Sequence, residues 1–167
     1  ADELLDCSLT GDTSMYANAI RELNWATYAV DVDGKNCFPF DEPWLTDGYG
    51  DYVRHYIRAM ATYPFLAPAE DHILSSTTEV QQADYKGNFK KFIYLNFDKV
   101  DTSKVRVFYR TFGDIGTETI RMKAKPSAVL LNDNPIKEVA EGEGYTWSAL
   151  ANGGVLNIGR ASCRERV

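Results

Sequence analysis

The residues best suited to chemistry cluster in Trp44-Leu-Thr-Asp47-Gly-Tyr49-Gly-Asp51-Tyr52, with His55 close behind. Two glycines let the backbone approach a ligand closely. Asp47 and Asp51 could work as an acid and base pair or hold a sugar hydroxyl. Trp44 or Tyr49 could lay its apolar ring against a pyranose face. The same residues fit a structural reading, in which Asp47 or Asp51 caps a helix, Trp44 and Tyr49 are core, and His55 is solvated. A second candidate is Trp147, in Gly144-Tyr-Thr-Trp-Ser148, with Phe89, Phe92, Tyr94 and Phe97, as an aromatic platform. Packing of alternating aromatics in a core explains that pattern too.

Other signals are thinner. Asp31-Val-Asp33-Gly34-Lys-Asn36 has the carboxylates and sharp glycine turn of a calcium loop, but it is shorter than an EF-hand and lacks the distal Glu. A plain Asp-Gly turn accounts for it. His72 follows Glu70-Asp71 without useful ligand spacing, so the expectation is an exposed linker residue and no metal site. The chain contains no glycine-rich phosphate loop, no G-x-S-x-G elbow and no HExxH. Nucleotide hydrolase, serine esterase and zincin chemistry are therefore not indicated, and no motif calls for a cofactor.

These residues must be positioned by elements of two kinds, with a change of pattern near Pro64 to Pro68. Before it the apolar spacing is helical. Asp12, Thr13 or Ser14 can cap a helix that places Tyr16, Ile20, Leu23 and Val30 on one face. A second helix follows Asp47-Gly48 with Val53, Tyr56, Ile57 and Met60 on one face and Arg54, His55 and Arg58 on the other, ending at Tyr63-Pro64. After the switch, alternation predicts strands near 73–85, 91–97, 105–112, 117–123, 128–131, 145–148 and 155–158, separated by turns such as Asn132-Asp133-Asn134 and Asn152-Gly153-Gly154. In the 105–112 strand Val105, Val107 and Tyr109 face one way, and Arg106, Phe108, Arg110 and Phe112 the other. Short strands at this spacing predict an α+β chain, a helical segment followed by an antiparallel β-sandwich.

Bulk composition narrows the partners. At 44% hydrophobic and 25% charged residues the chain reads as globular. No apolar run approaches the roughly 18 residues of a membrane span. The net charge of −6 repels phosphate backbones and anionic lipids, so neither nucleic acid nor a membrane is an expected partner, whereas a neutral substrate fits better.

Glu118-Thr-Ile-Arg-Met-Lys-Ala-Lys-Pro126-Ser-Ala-Val-Leu-Leu-Asn132-Asp-Asn-Pro135, followed by Gly144-Tyr-Thr-Trp147 and Gly154-Val-Leu-Asn-Ile158, resembles the C-terminal β-sandwich of secreted bacterial carbohydrate-active enzymes. In that pattern a strand leads through Lys-Pro into a hairpin, and a Trp-bearing strand and a Val-Leu-x-Ile strand close the sheet. Residues 47–60 look like the last helices of a larger catalytic body feeding into it. The resemblance implies three segments. Residues 1–68 end a catalytic domain lying mostly N-terminal to this chain, 69–158 are an accessory sandwich, and 159–167 are a tail. It also implies a secreted or periplasmic protein, part of a glycoside hydrolase or polysaccharide lyase, with a polysaccharide or oligosaccharide as partner. A stand-alone carbohydrate-binding module and a non-catalytic structural or adhesion sandwich are the alternatives.

The tail carries a resemblance of its own. Gly159-Arg-Ala-Ser-Cys-Arg-Glu-Arg-Val167 is similar to a translated short-read sequencing adapter, as found in metagenomic fragments, and is expected to pack against nothing. Without Arg160, Arg164, Arg166 and Glu165, 15 basic side chains face 23 acidic ones, a net charge of −8. Without Cys163, only Cys7 and Cys37 remain, either as one bridge or as two buried thiols.

Overall fold

The computed structural model describes residues 1–27, 50–85 and 104–160. Among them, three α-helices precede eight strands paired only in antiparallel sheets, an α+β arrangement. The chain divides into two compact units after Leu66, within the proline-punctuated stretch.

In the first unit, α1 (Asp2–Thr10), α2 (Tyr16–Thr27) and α3 (Gly50–Thr62) lead to a 3-10 turn at Pro64–Leu66. The apolar spacing did not point to α1. It buries only Leu4 and Cys7, one turn apart, and ends at Gly11, whose φ of 75° is the left-handed cap that glycine adopts without strain. Ahead of α2, Asp12 Oδ1 accepts the Ser14 backbone N–H at 2.9 Å. That bond to Ser14 is the main reason the exposed Asp12 carboxyl is held below its ordinary pKa. Leu4, Ala19 and Ala59 form the core, and Tyr16, Ile20, Leu23, Tyr63 and Leu66 pack around it. Two alanines at the centre let the helix axes approach. The buried stripe of α3 is consequently rotated from the expected one, since it centres on Ala59 while Ile57 stays 51% exposed. Tyr56 remains on the inner side and donates its hydroxyl to the Leu23 carbonyl at 2.6 Å. Tyr63 meets Tyr16 edge-on, with ring centroids 5.4 Å apart.

In the second unit, β1 (His72–Ser76), β4 (Gly116–Met122), β7 (Gly144–Ala149) and β8 (Gly154–Arg160) form a four-stranded sheet in the order β1-β4-β8-β7. A second sheet pairs β2 (Val80–Tyr85) with β3 (Val107–Thr111). The expected single strand over 73–85 is thus two strands, one in each sheet. The Ser76 hydroxyl accepts the Thr78 backbone N–H at 3.2 Å, a local bond that competes with continued pairing. β5 (Leu130–Leu131) and β6 (Asn134–Pro135) make a hairpin about Asn132 and Asp133. Both turn residues have positive φ, 49° and 62°, as a two-residue turn that matches strand twist requires.

Between the sheets lie Ile120, Met122, Val129, Leu156 and Ile158, with Ile73, Val107, Tyr109, Ile136, Tyr145 and Trp147 packed against them. Residues 116, 118, 120 and 122 of β4 face inward, opposite residues 160, 158, 156 and 154 of β8. On β3, Val107 and Tyr109 face the core as expected, while Phe112, just past the strand, is 67% exposed.

One expectation is overturned here. Gly159 and Arg160 do not hang free, because β8 continues through both and Arg160 is only 7% exposed. The two-residue period that buries Leu156 and Ile158 also turns Arg160 inward. Residues 161–167 lie outside the described residues.

Candidate functional site

Trp44, Asp47 and Tyr49 lie outside the described residues, as do Phe89, Phe92, Tyr94, Phe97 and the 31–36 turn. Asp51 falls in the first turn of α3, with its side chain outside the description, and His55 lies one turn further on, half-buried. Trp147 belongs to the second unit. It is half-buried on the inner face of β7, opposite Leu156, and packs against the core. Its ring approaches Gly154, where a Cβ would fall 2.3 Å from the indole Cζ2, so the missing side chain is what lets the indole come this close to β8. Cys7 is a buried free thiol, and Cys37 lies outside the description. His72 is not the exposed linker residue expected: it opens β1, paired with Arg121 of β4, and is half-buried, its Nδ1 lying 2.7 Å from the Glu70 carbonyl.

The strongest concentration of chemistry-bearing groups in the second unit is one the sequence did not single out. Glu118 is fully buried on the inner face of β4, and Arg160 reaches it diagonally from β8. Arg160 donates from Nε to Glu118 Oε2 at 3.0 Å and from Nη2 to Oε1, a fork-to-fork contact. Its remaining donors go to Thr78 Oγ1 at 2.9 Å, Thr111 Oγ1 at 3.0 Å and the Gly113 carbonyl. The carboxylate also accepts from Tyr109 OH at 3.1 Å and Ser76 Oγ at 3.2 Å. Gly116 faces Arg160 across the strands, and a Cβ there would sit 2.8 Å from Nη2. Burial, reinforced by the Glu118 charge, pushes the Tyr109 phenol far above its ordinary pKa, so this hydroxyl stays a neutral donor.

The cluster therefore joins β1, the link to β2, β3, the turn into β4, β4 itself and β8. A buried carboxylate beside an arginine and a perturbed tyrosine is an arrangement common in active sites. Here, however, Glu118 has no exposed surface at all, and both its oxygens are engaged by neighbouring side chains. What the arrangement does chemically is neutralise two charges in the core and fix strand register.

Two further charged side chains are buried. Arg121, 2% exposed on the other face of β4, donates from Nη1 to the Met122 and Gly154 carbonyls, both at 3.0 Å, and from Nη2 to the Asn152 carbonyl. It ties the end of β4 to the turn between β7 and β8. Asp71, 3% exposed, accepts the Lys123 backbone N–H at 2.9 Å and pairs with Arg106 at 3.3 Å. On the same face as Arg121, a polar ladder runs from Thr119 to Asn157 at 3.0 Å and on to Thr146 at 3.5 Å. Among the described residues no three His, Cys, Asp or Glu side chains gather as metal ligands, and no helix is long and apolar enough to cross a membrane.

A signal for Glu118 and Arg160 was available. Both continue the period-two apolar series of their strands, Glu118-x-Ile120-x-Met122 and Leu156-x-Ile158-x-Arg160, so opposite charges occupy inward positions. Comparison with known proteins adds no name to this geometry: no protein-family model, curated protein or solved structure matches the chain.

Proposed function

We propose that the unit beginning at Ala67 is a structural accessory sandwich of an exported bacterial polysaccharide-degrading enzyme, a glycoside hydrolase or polysaccharide lyase, which buttresses a catalytic domain and performs no chemistry itself. The observation that carries the structural role is the burial of four charged side chains that bond within the unit. Glu118, Arg160, Arg121 and Asp71 are all buried, and each is held by bonds within the unit. Glycosidic cleavage by the common route needs two carboxyl groups flanking a bound sugar. A carboxylate with no exposed surface, already engaged by Arg160, cannot be one of them. The polysaccharide context rests on the resemblance of residues 118–158.

The incomplete burial of Trp147 favours a second reading, a sugar-binding module, because an indole partly open to solvent can stack on a pyranose. Affinity electrophoresis of the full chain through gels of several plant polysaccharides separates the two. Unchanged mobility on all of them is expected for a buttress. Retardation that is lost in Trp147→Ala would replace the buttress with a binding module. The enzymatic context has its own test in the full-length coding sequence. A large glycosidase or lyase domain on the N-terminal side is expected, and its absence would overturn this part of the proposal.

A further inference from the structure

The groups around Arg160 form a socket whose parts all precede β8 in the chain: both Glu118 oxygens, Thr78 Oγ1, Thr111 Oγ1 and the Gly113 carbonyl. Tyr109 and Ser76 donate to the same carboxylate, so its orientation is fixed by hydroxyls that belong to the socket and not to the arginine. The missing side chain of Gly116 leaves room for the flat guanidinium, which a Cβ would crowd at 2.8 Å. These acceptors sit around the plane of the group, two from one carboxylate and the others at its remaining N–H bonds.

We infer that this is a guanidinium-recognition site, preassembled by the strands before β8 and filled in the folded protein by Arg160. The ligand class it takes is a planar cation with paired N–H donors. An ammonium ion, a point charge without the fork, cannot bridge the carboxylate and reach the Gly113 carbonyl together. Arg160 is thus a key carried at the end of β8, and the socket retains its selectivity when the key is removed.

Chemical complementation tests this in the full chain. Arg160→Ala empties the socket, and thermal unfolding is followed in low-millimolar guanidinium chloride, ammonium chloride or sodium chloride at equal ionic strength. Guanidinium alone is expected to raise the midpoint of the variant by several degrees, saturably, while leaving the parent chain unchanged. The rise should disappear when Glu118→Gln is added. No rise, an equal rise with ammonium, or a rise that survives Glu118→Gln would each overturn the inference. Should Arg160→Ala be unfolded from the outset, recovery of the native near-ultraviolet signal in the same three salts is the readout. Recovery in guanidinium alone supports the site, and absence of recovery overturns it.

Discussion

Replacing Glu118 by Met, which keeps a similar volume but no charge, tests how the buried pair acts. In the substituted protein Arg160 retains Thr78, Thr111 and Gly113 as acceptors, but its charge, 7% exposed, has lost its counter-ion. Tyr109 and Ser76 lose the acceptor they shared. Breaking a buried pair from one side costs about 3–5 kcal/mol because an uncompensated charge stays behind. Arg160→Met strands the carboxylate instead, at a cost of roughly the same size. If the effects were independent the double variant would lose about 6–10 kcal/mol, enough to unfold a typical domain. The expectation is different: Glu118→Met/Arg160→Met should lie within about 2 kcal/mol of the parent, because two apolar side chains of matching volume replace the pair. For a unit of about 100 residues, each single variant should lower the midpoint by roughly 12 °C or more. Urea unfolding of the four proteins, followed through near-ultraviolet circular dichroism, supplies the cycle. Single losses that add to within about 0.5 kcal/mol in the double variant would refute the account of a coupled pair.

Other outcomes follow from neighbouring groups. Because the folded-state pKa of Tyr109 is raised, its contribution is present below the unfolded value near 10 and is lost as pH rises above it. Tyr109→Phe should flatten that alkaline fall in a comparison of midpoints across pH, and an unchanged slope would count against it. Gly116→Ala should destabilise by about 1–3 kcal/mol in the same urea assay, since the new Cβ meets Arg160 Nη2 and Thr78 Cγ2, both at 2.8 Å. The Cys7 thiol, 3% exposed, should react with a bulky disulfide reagent only as fast as the first unit opens, and rapid labelling of the native chain would contradict its burial.

The strands that were easiest to read are those whose every second residue is apolar and faces the core. Ile120 and Met122 of β4 and Leu156 and Ile158 of β8 keep that period, and Asn132-Asp133 supplies two residues that tolerate positive φ where the hairpin must turn. The break between β1 and β2 was illegible because Ser76-Thr-Thr78 has good strand propensity, and only its side-chain bonds divert the chain. The rotation of α3 was hidden for a related reason. Ile57 outranks Ala59 in hydrophobicity, yet the smaller side chain occupies the crowded centre between helices. Glu118 and Arg160 escaped notice because single charges read as surface, whereas their burial depends on strands 42 positions apart meeting diagonally. Of the residues chosen for chemistry, His55 and Trp147 can be placed in full, and Trp147 turns toward the core.

The order of the four-stranded sheet has a consequence for how the unit is made. β8 follows every other described strand in the chain, yet it lies inside the sheet, between β4 and β7. Until it is available, β4 has only β1 as a partner and keeps its other edge open, and β7 has no strand of this sheet to pair with. A nascent chain therefore cannot complete the sheet progressively from one side. Until β8 is made, one edge of β4 carries unpaired N–H and C=O groups, the kind of open edge at which another chain can pair.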